Sequence, residues 1–396
     1  MTLLFPPRSR PALIEAFTAP KGFGDQTLRD RRPDAIELLG GIPDPSVLPT
    51  AELAEATARV LARPGAPSLQ YSRTEGIPAL REWIAAREGV AVERVLITNG
   101  GFHGLAIAVQ TVLERGDLVA VDNPVFPLFL RGLELADARV LPIRVGAEGL
   151  DIDALAAELR AGARPAAVYT VPEFHNPSQS SLPTARRREL VELAEKYGFV
   201  VFADDPYREL RFHGEPESLA PFHDSDHVIH VNTFTKTLGP GLRLGWIVLP
   251  ERLIPDAVAL RSRQDSHSST FVQAVVAELL TGDVGVFDRV LGGARALYRA
   301  RAHALAEALS ASGSFDVTVP DGGLFLWPRL TDDSLDADRL AAAASAEGVE
   351  YQRGSFFPSG PGTDADRHLR LAYGDTSEEL LVEAASRLAR AVARQR

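Results

Sequence analysis

A chain of 396 residues, 45% apolar and 24% charged, exceeds what one hydrophobic core usually supports, so two domains are expected. Its formal net charge of −11 opposes the clustered Lys and Arg of a nucleic-acid footprint, and the lack of cysteine excludes disulfides, thiolate metal sites and cysteine nucleophiles. No apolar run approaches the ~18 to 20 residues of a membrane span, and the start from Met1 to Arg10 lacks a signal peptide's apolar core, which predicts a cytoplasmic protein bound to neither membrane nor nucleic acid.

In chain order, residues 1–48 are proline-rich and irregular, which suits an arm that packs on another domain or subunit and forms part of a small domain. A large domain is expected over 49–285. From about residue 95 it alternates helical patterns with seven short β-rich runs: Val95–Thr98, Leu118–Asp122, Val140–Val145, Ala167–Val171, Val200–Asp204, Val228–Asn232 and Leu244–Leu249. Such alternation predicts an α/β fold with a mostly parallel sheet covered on both faces. The segment from Pro183 to Gly198 predicts a surface helix, with Leu190, Val191, Ala194 and Tyr197 on one stripe, proline near its start and glycine past its end. Beyond residue 285 the pattern changes to a long Ala/Arg/Leu helix, a segment Phe315–Leu330 broken by Gly322-Gly323, a strand Leu369–Tyr373 and a last helix. Residues 286–396 therefore read as a small α+β domain. No internal repeat appears.

In open parallel sheets ligands sit beyond the carboxyl ends of the strands. Here those positions are polar: Thr98-Asn99-Gly100-Gly101, Asp122-Asn123-Pro124, Pro172-Glu173-Phe174-His175-Asn176-Pro177, Asp204-Asp205-Pro206-Tyr207 and Asn232-Thr233-Phe234-Thr235-Lys236. Their order resembles the fold-type I pyridoxal 5′-phosphate (PLP) enzymes of the class I/II aminotransferase superfamily. The nearest likeness is to the 2-aminoadipate and kynurenine aminotransferase group, whose fold also serves as the sensor domain of MocR-type regulators. The resemblance runs from Gly40-Gly41-Ile42-Pro43 through Leu69-Gln70-Tyr71-Ser72 to Leu369-Arg370-Leu371. Its most specific stretch, from Thr233 to Gly245, is similar to the family signature S-[FY]-S-K-x-L-x-P-G-L-R-x-G.

The resemblance implies that Lys236 forms a Schiff base with PLP and carries the proton between Cα and C4′. An amine does this only when unprotonated, which demands a partly dry, electropositive pocket. Thr233, Thr235 and Arg243 fall where the family binds the cofactor phosphate, with Gly100, Gly101 and Phe102 at the phosphate-binding turn. Asp204 and Tyr207 have the family's spacing for the groups that hold the pyridine nitrogen and the 3′-oxygen. The adjacent Asp205 competes for the first role, because successive strand residues face opposite ways. Asn176 matches the asparagine at the 3′-oxygen, and Phe126 stands where a tyrosine usually stacks on the ring. Arg370 matches the clamp on the substrate α-carboxylate, beside the backbone of Gly41. Tyr71 matches a tyrosine lent to the neighbouring subunit's phosphate, which implies a homodimer with shared sites.

Two stretches depart from the pattern. The phosphate turn commonly reads G-S-Q-Q, whereas this chain has Gly100-Gly101-Phe102-His103-Gly104; His103 is open as a phosphate or substrate contact or as a helix cap. Gln352-Arg353-Gly354-Ser355 replaces a glycine-rich stretch, leaving Arg353 as a reader of a second anionic group or a solvated loop cation. The expected reaction is transfer of an amino group between an L-amino acid and a 2-oxo acid. The alternative is a PLP-dependent lyase, decarboxylating deaminase or cyclase using the same carbanion. A MocR-type sensor would need a basic winged helix-turn-helix ahead of the fold, a charge pattern the preceding proline-rich arm does not show. A nicotinamide dehydrogenase would need G-x-G-x-x-G, which Gly100-Gly101-Phe102-His103-Gly104 does not supply.

Overall fold

The computed structural model describes residues 12–15, 17, 32, 34–335 and 337–395; most of the expected arm lies outside the described residues. The strands are β1 (Ile36–Leu38), β2 (Val95–Thr98), β3 (Leu118–Asn123), β4 (Arg139–Gly146), β5 (Gly149–Leu150), β6 (Ala167–Thr170), β7 (Val200–Asp204), β8 (Val228–Thr233) and β9 (Gly245–Val248). They continue with β10 (Phe315–Asp316), β11 (Phe325–Leu326), β12 (Arg329–Leu330), β13 (Val349–Arg353) and β14 (Leu369–Ala372).

Strands β2 to β9 form one sheet in the order β2-β9-β8-β7-β6-β3-β4-β5. The seven strands expected from the sequence are all there. The eighth, β5, has only two residues and pairs antiparallel with the end of β4, too short to leave a periodic signal. Pairing is parallel from β4 through β3, β6 and β7 to β8, whereas β9 runs antiparallel to both β8 and β2. Most of these strands run without alternation because helices cover both faces: every residue of β2, β6, β7, β8 and β9 is buried. Strand β4 borders solvent and differs accordingly, carrying Arg139, Pro142 and Arg144 on a partly exposed edge.

The surface helix between β6 and β7 spans Thr184–Tyr197, with Pro183 before it and Gly198 in the left-handed region closing it at φ 78°. Leu190, Val191 and Ala194 are buried, while Tyr197 is only partly so.

A second sheet has the order β1-β13-β14-β11. Here a strand from near the start of the chain, β1, pairs in parallel with β13. The long helix Val286–Ala311 packs on the last helix, Glu378–Ala393, and Leu305, Leu309, Leu381 and Leu388 of the pair are buried. It also holds the N-terminal segment, since Asp44 donates its N–H to the Tyr298 hydroxyl at 3.0 Å and pairs with Arg301 at 2.7 Å. The two sheets thus meet where the carboxyl ends of β2, β3, β6, β7 and β8 open toward residues 39–42. No single helix among the described residues is long and apolar enough to cross a membrane.

Candidate active site

One end of the site is built by glycine geometry. The helix Gly101–Val112 starts after Gly100, whose φ of 86° is left-handed and free of strain only without a Cβ. A Cβ there would also come within 2.9 Å of Arg243 Nη2. Gly245 at the start of β9 is tighter still: a Cβ would lie 2.8 Å from the Asn232 carbonyl oxygen and 2.8 Å from the Gly100 carbonyl carbon. The helix start, β8 and β9 are thereby drawn together. The Thr233 and Thr235 hydroxyls stand 2.8 Å apart, and Arg243 donates to the Asn99 carbonyl at 3.2 Å. Helix-end amides, two hydroxyls and a guanidinium make an anion site.

The middle carries the titratable groups. Asp204 ends β7 and accepts a hydrogen bond from the Tyr169 hydroxyl at 2.9 Å. Burial pushes its carboxyl up to about 7, against the lowering effect of that hydrogen bond. Asp205 points to the opposite face of the sheet, where it faces His230 Nε2 at 3.2 Å, as strand alternation requires. Lys236 Nζ donates to the Gly41 carbonyl at 2.7 Å. Burial, then the cationic neighbours Arg370 and Arg243, bring this amine down to about 8, with Asp204 opposing.

The far end joins three segments. Asn176 donates from Nδ2 to the Tyr207 hydroxyl at 3.3 Å, and its Oδ1 accepts from Arg370 Nη1 at 2.9 Å. Arg370 Nη2 donates to the Leu39 carbonyl at 2.6 Å, and the guanidinium carbon sits 4.2 Å above the Phe325 ring centroid. Burial raises the Tyr207 phenol and lowers the Arg370 guanidinium, although a guanidinium remains charged at any working pH.

A cavity of about 400 Å3 connects these groups. Gly41, Gly101, Phe102, Phe126, Asn176 and Asp204 line it, as do Tyr207, Thr233, Thr235, Lys236, Arg243 and Arg370. Gly100 stands just behind, as the residue that starts the helix. Tyr71 lies elsewhere, 93% exposed, with its ring edge toward His267. His103 turns from the cavity, taking the Asn99 N–H on Nδ1 at 3.1 Å, which is the helix-cap arrangement. Arg353 is also outside the lining, over the Phe356 ring at 5.4 Å. Sequence reasoning missed Tyr169, Phe325 and the Leu39 carbonyl. A phenol inside the apolar strand β6 is a usable signal, since a buried hydroxyl needs a partner. Phe325 and Leu39 lack one, because only the tertiary fold brings them to Arg370.

The family model described as aminotransferase class I and II matches residues 40–388. This chain belongs to that family. A 2-aminoadipate transaminase of Thermus thermophilus is 35% identical over 370 residues, covering 91% of each chain. An aromatic-amino-acid aminotransferase of Thermococcus litoralis is 30% identical, covering 91% of this chain and 88% of its own. The crystal structure of the Thermus α-aminoadipate aminotransferase LysN, complexed with N-(5′-phosphopyridoxyl)-L-leucine, superposes with a TM-score of 0.83 at 34% identity, over 92% of this chain and 93% of its own. The protein is a PLP-dependent aminotransferase of fold type I whose substrates are amino acids and 2-oxo acids. None of these three relatives is a lyase or cyclase. The donor set suits the cofactor: an anion site, a buried carboxylate and an amine of lowered basicity share one cavity.

Proposed function

We propose that the enzyme transfers the amino group of an L-amino acid with a sizeable apolar or aromatic side chain, using Lys236 as its acid and base. The observation that carries the substrate class is the cavity wall. Among the described residues its only cations are Lys236, Arg243 and Arg370, and its apolar lining includes Ile42, Phe102, Leu105 and Leu128. Each cation has a task in the reaction, so none remains for a second carboxylate on the substrate. Of the relatives, the one named for aromatic amino acids accords with this reading, whereas the one named for 2-aminoadipate acts on an amino acid with a second carboxylate.

PLP, when bound, supplies the aldehyde that takes up the amine and the ring that withdraws electrons from Cα. The residues of the chain do the rest. Thr233, Thr235, Arg243 and the amides from Gly101 onward hold the phosphate. Asp204 keeps a proton on the pyridine nitrogen, and Tyr207 with Asn176 holds the 3′-oxygen. Phe126 covers the ring and excludes water. The Arg370 fork takes the substrate carboxylate in bidentate fashion, which aims the Cα–H at Lys236. Lys236, neutral in a good fraction of molecules near pH 8, removes that proton and returns it at C4′.

A panel of donors tests the substrate class. Leucine, phenylalanine or kynurenine should exceed aspartate and glutamate in kcat/KM by at least about tenfold, or ~1.4 kcal/mol; a preference for the dicarboxylates sinks it. The exposure of Tyr71 supports a homodimer in which this residue completes the neighbouring phosphate site. Mixing Lys236→Ala and Tyr71→Ala subunits should restore activity, because one site of each hybrid is then intact. Failure of that complementation in a confirmed hybrid removes the shared-site reading.

A further inference from the structure

Behind the sheet, on the face away from the cavity, Glu88, His223 and His230 bring three ligand atoms together in a fully buried cluster. Glu88 ends the helix Pro78–Glu88, His223 ends the short helix Ala220–His223, and His230 lies in β8. His223 Nε2 and His230 Nδ1 are 3.2 Å apart, and Glu88 Oε2 is 4.0 Å from the first and 3.8 Å from the second.

The outer partners decide where the hydrogens are. His223 Nδ1 faces the Glu88 carbonyl oxygen at 3.0 Å, and His230 Nε2 faces the Asp205 carboxylate at 3.2 Å. Both partners only accept, so both outer ring nitrogens carry N–H. The inner nitrogens are then bare lone pairs pointing at one another. Glu88 Oε1 is taken by the Trp246 indole N–H at 3.0 Å, whereas Oε2 is buried with no hydrogen-bond partner among the described residues. Three atoms that can each offer a lone pair therefore converge. A single added proton could bridge the two imidazoles but would leave the carboxylate oxygen unserved.

We infer that Glu88, His223 and His230 bind a divalent metal ion of the zinc class. A point equidistant from the three ligand atoms lies about 2.1 Å from each, within the ~2.0 to 2.2 Å at which zinc binds imidazole nitrogen and carboxylate oxygen. The surroundings are those a metal ligand set needs: one histidine held by a backbone carbonyl, one by a carboxylate, and the glutamate by an indole. The charges of Glu88 and Asp205 balance a dication. The site joins two helices to β8 behind the cofactor and is separate from the transamination chemistry. Being closed to solvent, it fills as the chain folds.

The test is metal analysis of the PLP-loaded enzyme after dialysis against EDTA and gel filtration, in wild type, Glu88→Gln and His223→Gln. Wild type should retain about one zinc per chain and the variants under about a tenth of that, with their cofactor absorbance unchanged. If the variants fail to fold, wild type is unfolded with a chelator and refolded with and without zinc sulfate; the zinc-refolded enzyme should melt higher. Refolding with cobalt(II) should add visible d–d bands. Wild-type holoenzyme that folds, binds PLP and holds no zinc even after refolding with it overturns the assignment in favour of a protonated imidazole pair. Equal zinc in wild type and both folded variants overturns it too.

Discussion

Asp204 and Asp205 are covalent neighbours, both buried, and the two faces of the sheet treat their carboxylates differently. On the cavity face Asp204 meets a neutral phenol, Tyr169, and opens toward the ligand space. On the rear face Asp205 meets an imidazole fixed by further partners. The cavity face keeps a carboxylate whose basicity burial has raised to about 7, available to a protonated ring nitrogen. The rear face encloses its carboxylate in a polar cluster that joins helices to the sheet. One residue step along a strand separates chemistry from scaffolding.

The contrast can be broken by substitution. The largest effect belongs to the cavity face: Lys236→Ala should lose at least about 10^4-fold in turnover with any donor, since both acid and base roles vanish. Next, Asp204→Asn should lower kcat/KM about 10^2- to 10^3-fold, with the melting temperature nearly unchanged. Asp205→Asn should do the opposite, leaving kcat within about threefold while lowering stability by roughly 1 to 3 kcal/mol, the cost of weakening a buried hydrogen bond to a charged acceptor. A kinetic defect in Asp205→Asn as deep as that of Asp204→Asn would erase the distinction. Tyr169→Phe should be milder, about tenfold in kcat/KM. It removes the hydrogen bond that holds the Asp204 carboxyl down, so its loss of activity should be greatest on the acid side.

The smallest effect is on pH. Lys236 must be neutral to take up PLP, and its proton is lost near pH 8, well below a free lysine. Uptake by apoenzyme should therefore rise about tenfold from pH 7 to 9, as the neutral fraction grows from about a tenth to about nine-tenths. Arg370→Gln removes a cation that lowers this amine, so the midpoint should move to higher pH. Stopped-flow absorbance at several pH values checks both.

Residues whose job is set by position on a strand end are legible in the amino-acid sequence. Thr98, Asp204 and Thr233 each close an apolar run, and the signature around Lys236 places the anion site by its glycines and Arg243. The preference for Asp204 over Asp205 rests on spacing to Tyr207, and the geometry gives each aspartate its own face. The illegible parts are those assembled across long sequence separations. Glu88, His223 and His230 are ordinary residues in their own segments, and only the packing of two helices on β8 turns them into a cluster. Likewise the wall made by Phe325 depends on how the β11–β14 pair lies over the strand ends. The short strand β5 escapes notice because two residues have no period.

Arg370 extends from β14, yet its hydrogen bonds go to Asn176 of the large sheet's rim and to the Leu39 carbonyl just past β1. Three stretches of chain are pinned by one planar ion. The group proposed to recognise the substrate carboxylate is therefore also a mechanical joint. A substrate with a carboxylate loads that joint and an amine lacking one does not. Discrimination between amino acids and simple amines would then be felt as a change in how firmly the two sheets are coupled, rather than as a missing contact in a rigid pocket.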